Sequence, residues 1–592
     1  MSYRYENNDI VIDGWEQGIA SSPYAGISGL KNVDLSVPGE VGVALKTTAL
    51  TKPPTVSAVA FTVETTDILT VSSTTGWYNG MAVVLNTLVD GTGLATGRVY
   101  WVGDLSGNTF KLYKNPARQG SLLVNVTLAG SGTISSYTLG KPVDWTFGQG
   151  AGLSRKYFFI LDDNGRAWWL DNTGGTLTDN LIYLGNDTLT GSAGRAIITF
   201  KQHLLVFRAA AVDGIGFVME TADPDSAYVD SVEGGWSYGW TTPNSIANTG
   251  KTKRSVLVGE DDILYYFNNA QTIGSISETA GDTLDLDDST SFTNNVNALD
   301  LPVAEANANM IISELGTNLI VGGNNGKLYP WDRISSSFYF PILLPERNIQ
   351  HIVSVNNGVY IFAGNRGNIY YTNGSTVELF RKIPDHITGK INPYLTINYA
   401  TADRNQLYFS ITATENDATA IGDMDGVWAI DFLSNSFRHI LEASHGTDGE
   451  VSLIAENVLS ETPAGIGLYL GWESSTSTYG IDKGSSNPYS GGETIIDSDI
   501  IPFGTNRNQR TIGHIEFKLG KPLVSGESVE LQQRSNLNDS FTTIFTHSTA
   551  GDISASEDAD FENVEWIQIR AILTSTNSNP SFVPLIEVRI VK

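Results

Sequence analysis

Three stretches of this chain repeat one pattern, and that pattern constrains the fold more than any other feature. Each stretch has a short apolar strand, a tight polar turn that ends in glycine, and a second strand rich in aromatic residues. Glycine suits such a turn because it adopts positive φ without a steric penalty. Gly326 and Gly367 lie 41 residues apart, which is the length of one four-stranded propeller blade. The stretches are residues 158–171, 319–332 and 360–373.

The rest of the chain extends this pattern into an all-β protein. Val, Ile, Thr, Tyr and Phe dominate the apolar runs, and no segment longer than about ten residues keeps a helical spacing of apolar positions. With 592 residues the chain is too long to form a single hydrophobic core, so we expect more than one domain. We predict that residues 142–494 form a β-propeller of six or seven blades. Six is favoured, because the last unit, near residue 467, has the length of only part of a blade.

Three further regions flank the propeller. Residues 51–141 have short strands with frequent glycine turns and no blade pattern, which predicts a small, partly open β-barrel inserted into a loop. Residues 495–592 alternate apolar and polar positions, as expected for a C-terminal β-sandwich. Residues 1–50 are predicted to be an N-terminal arm. Within it, residues 41–47 are the candidate strand that closes the propeller.

Composition excludes several kinds of chemistry and favours one compartment. The chain has no cysteine, which rules out disulfides, cysteine-based zinc sites and cysteine nucleophiles. It begins without a secretion signal and has no apolar run of about 18 residues, so we expect synthesis in a cytoplasm and no membrane insertion. The net charge of −28 disfavours binding to nucleic acid phosphates. The acidity therefore provides solubility or lines a passage to which nucleic acid does not adhere.

Several segments resemble parts of known bacteriophage proteins. Residues 9–24 and the turn at 37–40 resemble the start of phage structural proteins, and residues 97–102 followed by 108–112 resemble a small β module of phage tails. Residues 527–545 and 565–570 resemble the C-terminal sandwiches of such proteins. The whole layout is similar to the propeller proteins that form the nozzle or hub of short phage tails.

This resemblance implies a virion structural protein that is not an enzyme. We expect it to form a ring, most simply a hexamer, that lines or extends the DNA exit channel in the phage tail. Its partners would be other copies and further tail proteins such as an adaptor, fibres or a plug, and DNA would pass without specific binding. No catalytic residue, cofactor or metal is predicted. The alternative is a carbohydrate-binding (receptor-binding) or glycan-cleaving propeller of the tail.

Candidate chemistry in the sequence has structural explanations. Asp163, Gly165 and Trp168 match the core of an Asp-box, in which an acidic side chain caps a turn above a packed aromatic ring. Asn324 and Asn365 begin degenerate copies of this box. We expect all three to be structural.

Other candidates are acidic loops, histidines and exposed aromatic residues. The acidic groups could ligate calcium, although their spacing is not that of an EF-hand. The histidines show no metal-ligand spacing. The tryptophans could stack on sugars, but we expect them to fill gaps between blades. These residues are Glu278, Asp282, Asp285, Asp287, Asp288, Asp423 and Asp425; His203, His351, His386, His439, His445, His514 and His547; and Trp236, Trp240 and Trp472.

Overall fold

The computed structural model describes most of the chain, and every element in it is a β-strand. In this part of the chain no helix has the length and apolar character needed to cross a bilayer. The described residues are 3–6, 9–12, 29–31, 33–34, 42–43, 45–114, 118, 123–149, 156–170, 179–184, 193–201, 203–208, 212–216, 236–241, 256–267, 272–279, 290–301, 311–323, 325–355, 358–384, 393–414, 426–432, 436–444, 449–456, 468–474, 478–488, 494–498, 500–502, 510–535, 539–564, 566–575 and 585–591.

Seven antiparallel sheets of four strands follow one another in the described residues, and we number them blades 1 to 7. The strands are Pro142–Gln149, Lys156–Asp162, Ala167–Leu170 and Leu181–Tyr183 (blade 1); Gly194–Phe200, His203–Arg208, Val212–Gly216 and Trp236–Thr241 (blade 2); Val256–Val258, Leu264–Phe267, Thr272–Glu278 and Phe292–Asp300 (blade 3); Ile311–Leu315, Asn318–Gly322, Lys327–Trp331 and Ile342–Leu343 (blade 4); Ile349–Val355, Gly358–Ala363, Asn368–Thr372 and Val377–Lys382 (blade 5); Tyr394–Ala402, Gln406–Thr414, Val427–Asp431 and Phe437–Leu441 (blade 6); and Gly449–Glu456, Leu468–Ser474, Tyr479–Pro488 and Leu45–Ala49 (blade 7).

The blades close into a ring, which confirms the predicted propeller. The first strand of each blade contacts the first strand of the next, and the first strand of blade 7 contacts that of blade 1. Blade 7 takes its fourth strand, Leu45–Ala49, from the N-terminal region, where it pairs with Tyr479–Pro488. The last repeat is therefore a complete blade, and the count is seven among the described residues. The predicted closing segment, residues 41–47, overlaps this strand and begins four residues before it.

The repeated hairpins have the turn geometry that their glycines predict. Gly165, Gly326 and Gly367 all adopt positive φ, between 68° and 77°. Each turn joins the second and third strands of its blade. Most aromatic and aliphatic side chains of these strands are buried in apolar clusters, whereas Tyr360 and Tyr371 of blade 5 are half-buried. The glycine turn and the apolar residues of the two strands therefore both favour the hairpin in these three blades.

Side chains on the inner strands also connect neighbouring blades. Gln350 of blade 5 is buried, and its Oε1 accepts a hydrogen bond from the backbone N–H of Ile397 in blade 6 at 2.6 Å. Its Nε2 donates to the carbonyl oxygen of Leu395 at 3.0 Å. At the closure, Oγ of Ser452 in blade 7 donates to the carbonyl oxygen of Pro142 in blade 1 at 2.8 Å. These bonds satisfy backbone groups that the blade sheets leave unpaired.

The inserted module is a closed barrel that packs on blade 1. Nε1 of Trp101 donates to the carbonyl oxygen of Tyr183 at 2.8 Å, and the rings of Tyr137 and Tyr183 stack with centroids 4.9 Å apart. The sequence predicted a strand near residues 122–128, whereas the last strand of the barrel follows that segment. The strands are Val59–Val63, Leu69–Val71, Ala82–Asp90, Val99–Ser106, Thr109–Tyr113 and Gly130–Ser136.

The C-terminal sandwich contains strands from both ends of the chain, so the first residues are more than an arm. Its strand Gly29–Lys31 contacts the fourth strand of blade 6, Phe437–Leu441, and one buried apolar cluster contains side chains of the sandwich and of blades 5 and 6. A separate short pair is Val33–Asp34 with Gly42–Val43. The first sheet has the order Tyr3–Glu6, Asp9–Ile12, Leu585–Val591, Arg510–Leu519 and Ser554–Val564; the second has Gly29–Lys31, Thr494–Asp497, Trp566–Ser575, Glu527–Arg534 and Thr542–His547, and Ile501–Pro502 pairs with Trp566–Ser575.

The connectivity places the two modules at opposite faces of the propeller. In an antiparallel blade, the connections between strands one and two and between strands three and four lie at one face, which we call the lower face. In blade 7 the sandwich replaces the connection between strands three and four, so it leaves from the lower face. The barrel lies between the fourth strand of blade 7 and the first strand of blade 1, which places its connections at the upper face.

We predict that Gln350→Leu destabilises the propeller by separating blades 5 and 6. Leucine has similar volume but leaves the N–H of Ile397 and the carbonyl of Leu395 buried without this partner, at about 1–3 kcal/mol each. The midpoint of thermal unfolding should fall clearly. Thr396→Leu, at an exposed position of the adjoining strand, is the control and should leave the midpoint nearly unchanged. Equal midpoints for the two variants would contradict this role of Gln350.

Candidate functional site

The Asp-box of blade 1 is organised by Asp162, and Asp163 has a smaller role than the sequence suggested. Oδ1 of Asp162 accepts hydrogen bonds from the backbone N–H groups of Asn164 and Arg166 at 3.0 and 2.9 Å. Its Oδ2 accepts from Nε1 of Trp168 at 3.0 Å. Asp163 is half-buried and accepts one bond, from the N–H of Lys141. The box is structural, as predicted, but its carboxylate is the preceding residue because that residue points inward under the turn.

Burial raises the pKa of the Asp162 carboxyl group to about 6, although hydrogen bonds from Arg166, Gly140 and Trp168 favour the ionised form. Desolvation dominates because the side chain has no exposed surface. The native state therefore binds a proton more tightly than the unfolded chain. Stability contributed by this group is present at low pH and falls as the pH rises through about 4 to 6.

We expect this linkage to be visible in the difference between the wild-type protein and Asp162→Asn. From pH 5 to pH 7 the wild-type advantage in unfolding free energy should decrease by about 1 kcal/mol, since asparagine does not titrate. Thermal or chemical unfolding of both proteins at several pH values measures this difference, in which other titrating groups cancel. Asp90→Asn, at an exposed carboxylate of the barrel, is the control and should show no such pH-dependent difference. A wild-type advantage that grows with pH would contradict the assignment.

Trp472 of blade 7 is a core residue and offers no platform for sugar stacking. Only 5% of its surface is exposed, and its Nε1 donates to Oδ1 of Asp482 at 2.9 Å. Asp482 also accepts hydrogen bonds from the N–H and hydroxyl of Ser444. Burial raises the pKa of Asp482. The structure thus repeats the Asp–Trp pair of blade 1 in the adjacent closing blade. The side chains of Trp236 and Trp240 lie outside the described residues.

Trp472→Ala should therefore lower the stability of the protein, and it should not selectively remove the binding of a glycan at the surface. Loss of a buried tryptophan costs about 3–5 kcal/mol and removes one hydrogen-bond donor from Asp482. Thermal unfolding should show a large drop in midpoint, whereas Val89→Ala, at a 64% exposed position of the barrel, should show little change. A Trp472→Ala protein with unchanged stability and selective loss of glycan binding would contradict this.

The remaining candidates do not converge on a reactive centre in the part of the chain that is described. No group of three or more His, Cys, Asp or Glu side chains there could hold a metal ion. His351 and His439 are buried beside Tyr399 and Trp428, with ring centroids 5.6 and 5.0 Å apart. His547 contacts Asp552, and His203 contacts the carbonyl of Lys201. Lying outside the described residues are Asp282, Asp285, Asp287, Asp288, Asn324, His386, Asp423, Asp425 and His445.

The connection that follows the third strand of blade 4 is a well-ordered surface feature. Oδ1 of Asp332 accepts from the backbone N–H groups of Ile334 and Ser335, at 3.0 and 2.7 Å. Its Oδ2 accepts from the hydroxyl groups of Ser335 and Tyr339, at 2.6 and 2.9 Å. These bonds lower the pKa of Asp332 and keep the carboxylate ionised. One side chain therefore makes four hydrogen bonds to residues 334, 335 and 339 of this connection.

This connection exposes large apolar side chains beside a groove of about 770 Å³. Phe340 is 96% exposed and Ile334 is 91% exposed. Gly374 of blade 5 completes the wall at positive φ, and a Cβ there would lie only 3.0 Å from Leu315. The groove opens on the lower face. It is lined by Leu315, Asn318, Ile320, Pro330, Ser337, Phe338, Tyr339, Phe340, Pro341, Ile342 and Gly374.

Sequence reasoning missed this surface, although a signal was present. The apolar run at residues 338–344 is longer than the two-residue fourth strand of blade 4 requires. Its exposure depends on the absence of a covering element, which the sequence alone does not reveal. Apolar patches of this kind on soluble proteins commonly mark interaction sites.

Charge is distributed unevenly along the chain. Residues 311–384, which form blades 4 and 5, carry six Lys and Arg against four Asp and Glu. The rest of the chain carries 30 against 60. Blades 4 and 5 are therefore a weakly basic sector of a strongly acidic chain.

Comparison with known proteins adds little to this description. No protein-family model matches the chain, and no curated protein matches it.

Several solved structures are similar in part. The computationally designed Ika8 protein is 12% identical, with a TM-score of 0.33, over 58% of this chain and 96% of its own. BamB from Moraxella catarrhalis is 10% identical, with a TM-score of 0.32, over 73% and 98%. The β-propeller domain of Myceliophteria thermophila Cps50 (Swd1) is 11% identical, with a TM-score of 0.37, over 59% and 97%. Because each TM-score is below 0.5, the propeller assignment rests on the strand order and ring closure described above.

Proposed function

We propose that this chain is a structural subunit of a bacteriophage tail, not an enzyme, and that its copies associate into a ring at the nozzle or hub. The ring would be a hexamer and would contact other tail proteins, such as an adaptor, fibres or a plug. The subunit would be made in the host cytoplasm and incorporated into the virion. Support comes from the resemblance of its layout to such proteins and from its architecture, a closed propeller with a β module at each face.

The observation that carries this proposal is the exposed apolar surface on blade 4. Asp332 accepts hydrogen bonds within the connection, and Ile334 and Phe340 of the same connection are exposed to solvent. A subunit that presents two large apolar side chains beside a groove is suited to contact another protein.

The charge of the chain fits the passage of DNA through such a ring. Regions 142–310 and 385–494 of the propeller carry 37 Asp and Glu against 13 Lys and Arg. Walls of this charge repel phosphate groups and would keep the genome from adhering during exit. DNA would pass the subunit without specific binding.

The alternative, a propeller that binds or cleaves host glycans, has weaker support. Of the tryptophans considered for sugar stacking, Trp472 is buried and hydrogen-bonded to Asp482. Glycan hydrolysis needs a pair of suitably placed acidic groups or a tyrosine nucleophile. The buried Asp162 and Asp482 carboxylates instead accept hydrogen bonds from Trp168 and Trp472 of their own blades.

The mass of the purified protein in solution tests the proposal directly. Light scattering after size-exclusion chromatography should give a discrete multiple of 63.9 kDa, with six copies expected. Electron microscopy of virions labelled through a tag on this chain should place it in a ring on the tail axis. A chain that remains monomeric at every concentration and is absent from particles would refute the proposal.

A further inference from the structure

The chain that returns from the barrel to the propeller crosses the Asp-box of blade 1. We call residues 138–141 the return connection. Nη1 of Arg166 in the box donates to the carbonyl oxygen of Thr138 at 2.8 Å. The N–H of Lys141 donates to Oδ1 of Asp163 at 2.9 Å, and the carbonyl oxygen of Lys141 accepts from the N–H of Asp163 at 2.8 Å. The box therefore holds the return connection as well as its own turn.

Asp162 also contacts the return connection, at a buried position. The N–H of Gly140 donates to Oδ2 of Asp162 at 3.0 Å. Gly140 lies so close to the box that a Cβ there would be 2.5 Å from Oδ1 of Asp163. Oδ2 also accepts the bond from Trp168, and Oδ1 accepts two bonds from the turn. Each oxygen of Asp162 therefore receives two N–H groups.

This set of four donors matches an ionised carboxylate and not a protonated one. An ionised carboxylate only accepts hydrogen bonds, whereas a protonated one carries an O–H group that donates. Because both oxygens of Asp162 face N–H groups, a proton on either oxygen would point at a donor. One of the four N–H groups then has to withdraw.

Gly140 is the donor that can withdraw at the lowest cost. The N–H groups of Asn164 and Arg166 belong to the turn that Asp162 caps. The indole of Trp168 is fully buried in the core of the blade. Of the four donors, Gly140 alone lies in a connection between two modules. Protonation of Oδ2 would therefore displace Gly140 and leave the blade intact.

The charges around Asp162 do not keep it ionised throughout the ordinary pH range. Burial raises the pKa of Asp162 to about 6, although Arg166 favours the ionised form. Burial also raises the pKa of Asp163. Nζ of Lys141 lies 2.7 Å from Oε2 of Glu473 in blade 7. The charged side chains around the box and the return connection are Arg166, Asp163, Lys141, Glu450 and Glu473.

We propose that protonation of Asp162 releases the return connection of the barrel, because the N–H of Gly140 then loses its acceptor. A proton taken up from solvent at one buried oxygen thus changes how firmly a whole module is held. The barrel itself stays on blade 1, where Trp101 bonds to the carbonyl oxygen of Tyr183. The device loosens one of the two connections of the barrel without opening the propeller. It does not depend on the proposed ring.

Amide hydrogen exchange of the full chain, read by mass spectrometry with fragmentation, measures this release. Asp162 is almost fully ionised at pH 7.5, and about nine-tenths of it is protonated at pH 5. After correction for the intrinsic rate at each pH, the protection of the Gly140 N–H should fall at least ~10-fold from pH 7.5 to pH 5. The N–H of Tyr137 bonds to the carbonyl oxygen of Ala82 within the barrel and should keep its protection.

Three variants assign the effect to Asp162. Asp162→Asn places an NH₂ group where one carboxylate oxygen lies, which imitates the protonated state, so Gly140 should be unprotected at both pH values. Asp163→Asn removes the neighbouring titrating group but keeps an oxygen for the N–H of Lys141. Its pH dependence at Gly140 should match that of the wild type, with a midpoint near pH 6. Asp90→Asn, at an exposed carboxylate of the barrel, should also behave as the wild type does.

Several results would overturn the proposal. One is equal protection of the Gly140 N–H at pH 7.5 and pH 5 in the wild-type protein. Another is a pH dependence that disappears in Asp163→Asn, since this would assign the release to Asp163. A folded Asp162→Asn chain that protects Gly140 at pH 7.5 as well as the wild type does would also contradict it. If Asp162→Asn does not fold, the wild-type and Asp163→Asn profiles decide the question by themselves.

Discussion

The structure depends above all on the pairing of Leu45–Ala49 with the third strand of blade 7. This contact joins segments more than 400 residues apart and turns an open row of sheets into a ring. The buried carboxylate of Asp482 strengthens it, because it links the third strand to Trp472 and to Ser444. Closure buries the apolar faces that blades 1 and 7 would expose at the two ends of an open row. The same strand lies between the sandwich and the barrel in the chain, so closing the ring also positions both modules.

Because the barrel and the sandwich lie at opposite faces of the propeller, the two faces of the subunit differ. The barrel is fixed to blade 1 through Trp101 and Tyr137, and the sandwich shares its core with blades 5 and 6. A body with different modules at its two faces can present different contacts to neighbours above and below it. This asymmetry is what a component of a polar assembly such as a tail requires. The ordered groove of blade 4 adds a contact to the lower face.

Sequence reasoning succeeded where the signal was local. The turn glycines and the hairpins around them follow from short-range patterns, and the structure contains them. The sequence analysis missed the strand Ser554–Val564, because Asp and Glu are rare in strands. The strand forms because it lies at a sheet edge, where its charged side chains can face water. The sequence analysis also placed the capping carboxylate at Asp163. The choice between two adjacent aspartates depends on which one points inward, and only the packed turn shows that Asp162 does.

The sequence by itself determined the β content, the blade repeat, the absence of cysteine chemistry and the acidity, because these depend on composition and on contacts between near neighbours. Tertiary structure decided which distant strands pair, so that strands from the first 31 residues complete the sandwich and another completes blade 7. It also decided that Trp472 is buried and Phe340 is exposed. Both are aromatic residues near β-strands, and their local sequences do not distinguish them. Burial is set by what the rest of the chain places over a side chain, which is a property of the whole fold.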